Sequence, residues 1–279
     1  MDTTSEPGQR TEGRAGRDLT RQILVISAFC FMIVAALFGG GLFGGTPVQD
    51  VQDGALDSDG SYLAPAGPAF SIWTLIYIGL GAYTVWQALP AQRERERQRA
   101  LGALIAGTMV LNGLWLVAAQ FTSLPLTVIV IGLLLVLLGV TYHVSVVFPG
   151  RGLADSALID GVTGLHLGWV AVATVANISA WLTRVLSPDL EAAASFWGVA
   201  VIVVVAIIGV AIAWRSGWRC APGLAMGWGL VWIAVARFSG EPRDGAIAIA
   251  ALVAAAVVVI TPLVGKVLQQ VVGVRNAED

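Results

Sequence analysis

Long runs of apolar residues, separated by short polar segments, recur along the chain. A helix needs about 20 residues to cross the hydrocarbon core of a bilayer. Runs of about that length cover residues 22–43, 68–89, 101–120, 124–147, 159–182, 194–213, 222–238 and 245–267. The pattern therefore predicts an all-α fold, a polytopic membrane helix bundle of about eight transmembrane helices.

The composition places the chain among integral membrane proteins. Only 12% of the residues are charged and 57% are hydrophobic, whereas soluble domains carry about 25% charged residues. The net charge of −2 and the lack of a basic face give no sign of nucleic-acid binding. Cys30 and Cys220 lie in or at the edge of apolar runs, and we interpret them as small apolar residues rather than as a disulfide or a metal site.

The distribution of basic residues predicts the orientation. If the N-terminus is cytoplasmic, thirteen of the sixteen Lys and Arg residues lie on the cytoplasmic side and three lie outside, as the positive-inside rule requires. We therefore expect a protein of the bacterial cytoplasmic membrane with both termini inside. Residues 1–21 and 269–279 are predicted to be cytoplasmic tails, the first of them disordered. The basic run at residues 93–99 is predicted to be a solvated linker, with binding to anionic headgroups as the alternative.

The connection between the first two helices, which we call the first loop (residues 45–67), is long and acidic. It contains Asp50, Asp53, Asp57 and Asp59 and no basic residue. One interpretation is an external loop that obeys the charge rule. The other is a lid over a site enclosed by the helices, because long loops of this kind are often functional. The sequence leaves both open.

One face of the second predicted helix carries its large aromatic residues together with its small or polar residues. The positions at i, i+3, i+7, i+11 and i+14 are Phe70, Trp73, Tyr77, Gly81 and Thr84, which share one side of a helix. A helix that faces only lipid does not require such a stripe. We interpret it as one wall of an internal site.

The third and fifth helices carry aromatic and amide groups at a similar depth in the membrane. Asn112 and Trp115 lie one turn apart on the third helix, and a stripe on the fifth begins at His166. The predicted ligand-binding residues are Trp73, Tyr77, Asn112, Trp115, His166, Trp169, Ala173 and Asn177. No catalytic or metal-binding residue is predicted.

Each polar residue also has a purely structural interpretation. A lone asparagine in a membrane helix commonly forms an interhelical hydrogen bond worth about 1 kcal/mol, which would explain Asn112 and Asn177. His166 could be a hydrogen-bonded core histidine. Trp228 and Trp232, one turn apart inside the seventh helix, could likewise belong to the core.

Three segments of the sequence resemble the TspO/MBR family, the translocator proteins or tryptophan-rich sensory proteins. They are FSIWTLIY (residues 70–77), LNGLW (111–115) and LGWVAVATVAN (167–177), in the order and spacing of that family. The resemblance implies a five-helix bundle over residues 22–182, with a pocket capped by the loop after the first helix. It implies binding of porphyrins, haem, sterols or synthetic aromatic ligands. Residues 183–268 then form three additional helices, as in longer bacterial members.

The sequence departs from the family pattern at several positions. The family's Pro-Pro-x-Trp entry to the second helix reads Pro65, Pro68 and Ala69 here, so one expected pocket tryptophan is missing. Thr108 replaces a glutamine, and His166 replaces a tyrosine. The sterol-associated tyrosine after the fifth helix is missing, which argues against sterol binding. His166 could instead offer a nitrogen to haem iron.

The predicted function is binding or sensing of flat apolar ligands, with a porphyrin or haem as the ligand and no obligatory cofactor. The alternatives are a facilitative transporter of an apolar molecule and a low-level porphyrin-modifying enzyme. We see no charged residue near the midplane and no catalytic motif, which argues against ion-coupled transport and catalysis. A homodimer is a further expectation.

Overall fold

The computed structural model describes residues 7–186 and 193–278, and the regular secondary structure of this part of the chain is all helical, without strands. Eight helices are long and apolar enough to cross a membrane, which confirms the predicted all-α membrane bundle. They are α1 (Pro7–Gly39), α2 (Ile72–Ala88), α3 (Glu96–Phe121), α4 (Leu124–Val147), α5 (Val162–Val185), α6 (Ala194–Arg215), α7 (Ala221–Ser239) and α8 (Gly245–Glu278).

Local sequence explains several of the helix boundaries. Proline stands in the first turn of α4 and of α7, where its missing N–H costs no hydrogen bond. The segment Gly67–Ser71 forms a tight helical turn before α2, and α5 is preceded by the short helix Leu153–Asp155 and the π-helical segment Ser156–Gly161. The helices therefore begin within a few residues of the predicted apolar runs, except at the termini.

The N-terminal tail differs from the prediction of disorder up to residue 21. Helix α1 begins at Pro7, and its polar part is fixed to the start of α3. The Asp18 carboxylate accepts hydrogen bonds from Arg99, the shorter one 2.5 Å from Nη2, and Arg21 donates to the Arg93 carbonyl at 2.9 Å. Residues 1–6 lie outside the described residues. At the other end α8 continues to Glu278, so the predicted C-terminal tail is also helical.

The basic run at residues 93–99 is only partly solvated, contrary to expectation. Arg97 is 8% exposed and pairs with Asp160 and, at 3.5 Å, with Asp155. Arg219, just before α7, reaches the same Asp160 at 3.0 Å. Buried charges need such partners, and this ionic cluster joins α3, α5 and α7 at the end of the bundle where α1 begins.

The helices do not pack in sequence order. Helix α1 lies along α3, α3 along α4, α4 along α5, α5 along α7, α7 along α8 and α8 along α6, while α2 contacts α1 and α5. Close approach of α5 and α7 depends on Gly168, where an added Cβ would lie 2.2 Å from the Pro222 carbonyl oxygen. The three C-terminal helices thus join the first five in one continuous bundle.

Candidate functional site

A cavity of about 40 Å³ lies between α2, α3, α4 and α5, beneath the first loop. Its walls are mostly apolar, with two asparagine side chains. The lining residues are Val48, Ala55, Leu56, Ala64, Pro65, Phe70, Trp73, Asn112, Trp115, Ile131, Leu134, Trp169, Val170, Ala173, Ala176, Asn177 and Ala180. The cavity is therefore bounded by the three helix faces that the sequence pattern singled out, together with α4 and the first loop.

The structure brings the predicted site residues together in two layers. The residues in the cavity wall are Trp73, Asn112, Trp115, Trp169, Ala173 and Asn177. Tyr77 and His166 are not part of that wall. Both are hydrogen-bonded to Asn112, which is one of the wall residues. The aromatic faces of α2, α3 and α5 thus point toward one another and not into the surrounding lipid.

Trp169 is the central aromatic residue of the site. Its side chain is 1% exposed and meets the rings of Phe70 and Trp73 edge to face, with centroids 5.8 and 6.1 Å apart. Such T-shaped contacts suit the charge distribution of aromatic rings. The indole Nε1 of Trp169 has no hydrogen-bond partner among the residues that the structure describes. Because buried indole N–H groups usually have a partner, this donor is left for an acceptor from outside.

A chain of polar side chains crosses from α2 to α5 next to the cavity. The Tyr77 hydroxyl donates to Asn112 Oδ1 at 3.2 Å, and Asn112 Nδ2 lies 3.4 Å from His166 Nε2. Since an amide nitrogen can only donate, His166 Nε2 is the acceptor of this contact in the present orientation of the amide. The structural interpretation of Asn112 as an interhelical bridge therefore holds, and one of the two ring nitrogens of His166, Nε2, faces this amide.

A second, weaker polar contact lies on the other side of the cavity. Trp115 Nε1 donates to Asn177 Oδ1, and Asn177 Nδ2 donates to the Ala173 carbonyl, each at 3.4 Å. These distances exceed the usual 2.7–3.2 Å range of N–H···O hydrogen bonds. The Asn177 amide is therefore only weakly bonded to its protein neighbours.

The first loop covers the cavity with apolar side chains while its acidic residues face outward. Five of its residues, Val48, Ala55, Leu56, Ala64 and Pro65, line the cavity. Asp50, Asp53 and Asp59 are exposed. The loop thus covers the enclosed site and exposes three of its four aspartates on the surface.

Helix α7 holds this loop in place, a contact that the sequence pattern did not predict. Trp228 Nε1 donates to the Ala69 carbonyl at 2.8 Å, and the Trp232 carbonyl accepts from the Ala66 N–H at 3.1 Å. Arg237, 1% exposed, donates to the Ser58 carbonyl at 2.6 Å. The paired tryptophans and an arginine inside an apolar segment were the signals available in the sequence.

The opposite edge of the first loop is tied to the ends of α3 and α5. Gln52 donates to the Ala119 carbonyl at 3.1 Å. Arg184 donates to the carbonyls of Gln52 and Asp53 at 3.2 and 2.9 Å. The loop is therefore attached on both sides of the cavity that it covers.

The family model described as TSPO-like protein matches residues 21–264. The match extends past the five helices on which the resemblance rested and includes the three C-terminal spans. A search of the curated proteins and a search of the solved structures each found no match. The family match covers most of the 279 residues, and the aromatic faces that carried the resemblance enclose a common cavity. The chain is therefore a member of the TSPO-like family of membrane proteins.

Proposed function

We propose that this protein binds a flat conjugated tetrapyrrole, a porphyrin or haem, in the cavity beneath the first loop and acts as a membrane binding or sensory protein. The observation that carries the proposal is the environment of Trp169. This buried ring is flanked by aromatic edges, lines the cavity and retains an unpartnered N–H. Aromatic walls with a few polar groups are the usual make-up of a small-molecule site.

The polar groups of the site suit the rim of such a ligand. Asn112 and Asn177 both line the cavity, and an amide can donate to a carboxylate or accept from an N–H. Trp73 and Trp169 offer faces and edges for stacking against a conjugated ring. The apolar faces and polar rim of a tetrapyrrole would thus meet matching groups.

The volume of the cavity requires the site to open before a tetrapyrrole binds. A space of about 40 Å³ holds only about three water molecules, whereas ligand pockets commonly measure about 300–1,000 Å³. The first loop is the wall that can be displaced without separating packed helices. Binding is therefore expected to follow loop opening, which also brings an acceptor to Trp169.

The packing of the inner half favours binding over transport. Between the cavity and the ionic cluster the bundle is filled by side chains such as Leu80, Tyr83, Ile105 and Leu138, each 0–1% exposed. These side chains stand between a ligand beneath the first loop and the other end of the bundle. We propose that the protein lies in the cytoplasmic membrane with both termini inside, because the basic residues cluster at that end.

The proposal is tested by titrating the purified protein with protoporphyrin IX. Tryptophan quenching and the porphyrin absorption band are followed in the native protein and in Trp169→Phe, which keeps a ring but removes the N–H. Loss of one hydrogen bond corresponds to about 3- to 10-fold weaker binding. Trp214→Phe is the matched control, because Trp214 is 67% exposed on α6 and lies away from the cavity.

Three outcomes would redirect the proposal. Equal affinity for protoporphyrin in Trp169→Phe and Trp214→Phe would place the ligand elsewhere. Uptake of porphyrin into proteoliposomes would favour the transporter, and loss of the porphyrin band with a new product would favour the enzyme.

A further inference from the structure

A second groove lies between α4, α5, α6 and α7, on the face of α5 opposite the aromatic cavity. Its volume is about 450 Å³, roughly ten times that of the cavity beneath the first loop. Its wall is apolar over most of its length and includes Leu135, Gly139, Leu167, Val205 and Met226. The groove shares no residue with the candidate tetrapyrrole site.

The groove extends from mid-membrane to one end of the bundle. On α6 its wall runs from Val205 to Arg215, which is about 15 Å along a helix. That length equals about half of a 30 Å hydrocarbon core. The groove therefore spans one leaflet, the leaflet at the end where the ionic cluster lies.

Apart from Thr174, whose hydroxyl donates to the Val170 carbonyl at 2.7 Å, the polar groups of the groove lie at that end. Arg215 stands in the last turn of α6, is exposed and forms no ion pair with any residue in the described ranges. Its neighbour Trp214 is 67% exposed, and exposed tryptophans in membrane proteins typically lie at headgroup depth. An unpaired cation thus stands where an apolar groove reaches the membrane surface.

Tyr142 supplies an independent sign of a ligand at the same end. This residue lines the groove and is 4% exposed, and its hydroxyl has the Ser216 hydroxyl as a polar neighbour but no well-formed hydrogen bond with any described residue. Buried hydroxyls nearly always have one. An acceptor oxygen arriving from the groove would give Tyr142 the hydrogen bond that it lacks.

We propose that this groove binds one anionic phospholipid from the leaflet at that end. An acyl chain occupies the apolar part between α4, α5 and α6, and the phosphate lies at Arg215. An ester oxygen that reaches the Tyr142 hydroxyl completes the polar contacts. This site is separate from the proposed tetrapyrrole site, and neither depends on the other.

The test uses native mass spectrometry of the full-length protein in detergent, titrated with dioleoylphosphatidylglycerol, dioleoylphosphatidylcholine or oleate. One bound phosphatidylglycerol is expected, and Arg215→Gln should weaken its binding about fivefold and bring it to the level of phosphatidylcholine. Gly139→Leu should abolish binding by filling the groove. An added Cβ at Gly139 meets no atom within 4 Å, so this variant does not strain the fold.

Gly132→Leu is the matched control. It makes the same change two turns earlier on the same face of α4, at a position that is equally open and outside the groove lining. Unchanged phosphatidylglycerol binding in Gly132→Leu and its loss in Gly139→Leu would support the proposal. Equal binding of the two phospholipids in every variant would overturn the proposal. Tighter binding of oleate than of phosphatidylglycerol would also overturn it, as would a protein dimer that Gly139→Leu dissociates.

Discussion

Replacing Arg237 by methionine should loosen the first loop. In the native protein the Arg237 guanidinium donates to the Ser58 carbonyl at 2.6 Å, and also to Pro242 and Glu241 carbonyls at 2.9 and 3.2 Å. Of these three bonds of Arg237, only the one to Ser58 reaches the first loop. Methionine keeps an apolar stem of similar length but removes every donor.

The size of the effect follows from that single bond. A hydrogen bond with one charged partner contributes about 1.5–3 kcal/mol, and Arg237 is 1% exposed, so water does not replace it in the closed state. The open population of the loop should therefore rise about 10- to 150-fold. If the loop covers the tetrapyrrole site, the association rate of protoporphyrin should rise by a similar factor.

Amide hydrogen exchange measures the opening without any ligand. Residues 54–60 form backbone hydrogen bonds within the loop, including Asp57 N to Gly54 O at 3.0 Å and Gly60 N to Asp57 O at 3.1 Å. Their exchange should accelerate in Arg237→Met. Arg243→Met is the control. Arg243 follows Arg237 closely in sequence, in the connection between α7 and α8, but its side chain is 70% exposed.

Two results would refute this reasoning. Equal exchange of the loop amides in the two variants would show that Arg237 does not hold the loop. Faster exchange without faster protoporphyrin binding would show that the loop does not control access to the site.

Two further substitutions test the packing around the site. Asp160→Asn leaves two arginines of the ionic cluster with weakened partners and should lower the free energy of unfolding by about 3 kcal/mol. Asp50→Asn, in the exposed part of the first loop, should leave the melting temperature unchanged. Gly168→Ala places a methyl group 2.2 Å from a carbonyl oxygen of α7 and should destabilise the protein by about 1–3 kcal/mol. Gly132→Ala, which meets no atom within 4 Å, should be neutral in the same melting experiment, and equal melting temperatures for the two alanine variants would contradict the close α5–α7 contact.

The sequence by itself determined the number of spans and the inward faces of α2, α3 and α5. Hydropathy is a property of each segment alone, because every spanning helix satisfies its own backbone and needs only an apolar length of about 20 residues. Helical periodicity is equally local, so Trp73, Trp115 and Trp169 could be assigned to internal faces before any packing was known. For the same reason α4 has the predicted bounds, Leu124–Val147.

The tertiary structure decided how the segments meet. Neither hydropathy nor periodicity encodes which helices lie side by side. We therefore could not predict from the sequence that α7 contacts α5, or that Arg237 donates a hydrogen bond to the first loop. The burial of Arg97 depends on Asp160, and the attachment of the polar part of α1 to α3 depends on the pair of Asp18 with Arg99, in each case residues distant in sequence. The cavity volume depends on how loop and helix side chains pack together. The lining residues could therefore be recognised in the sequence, but the small volume of the cavity that they enclose could not.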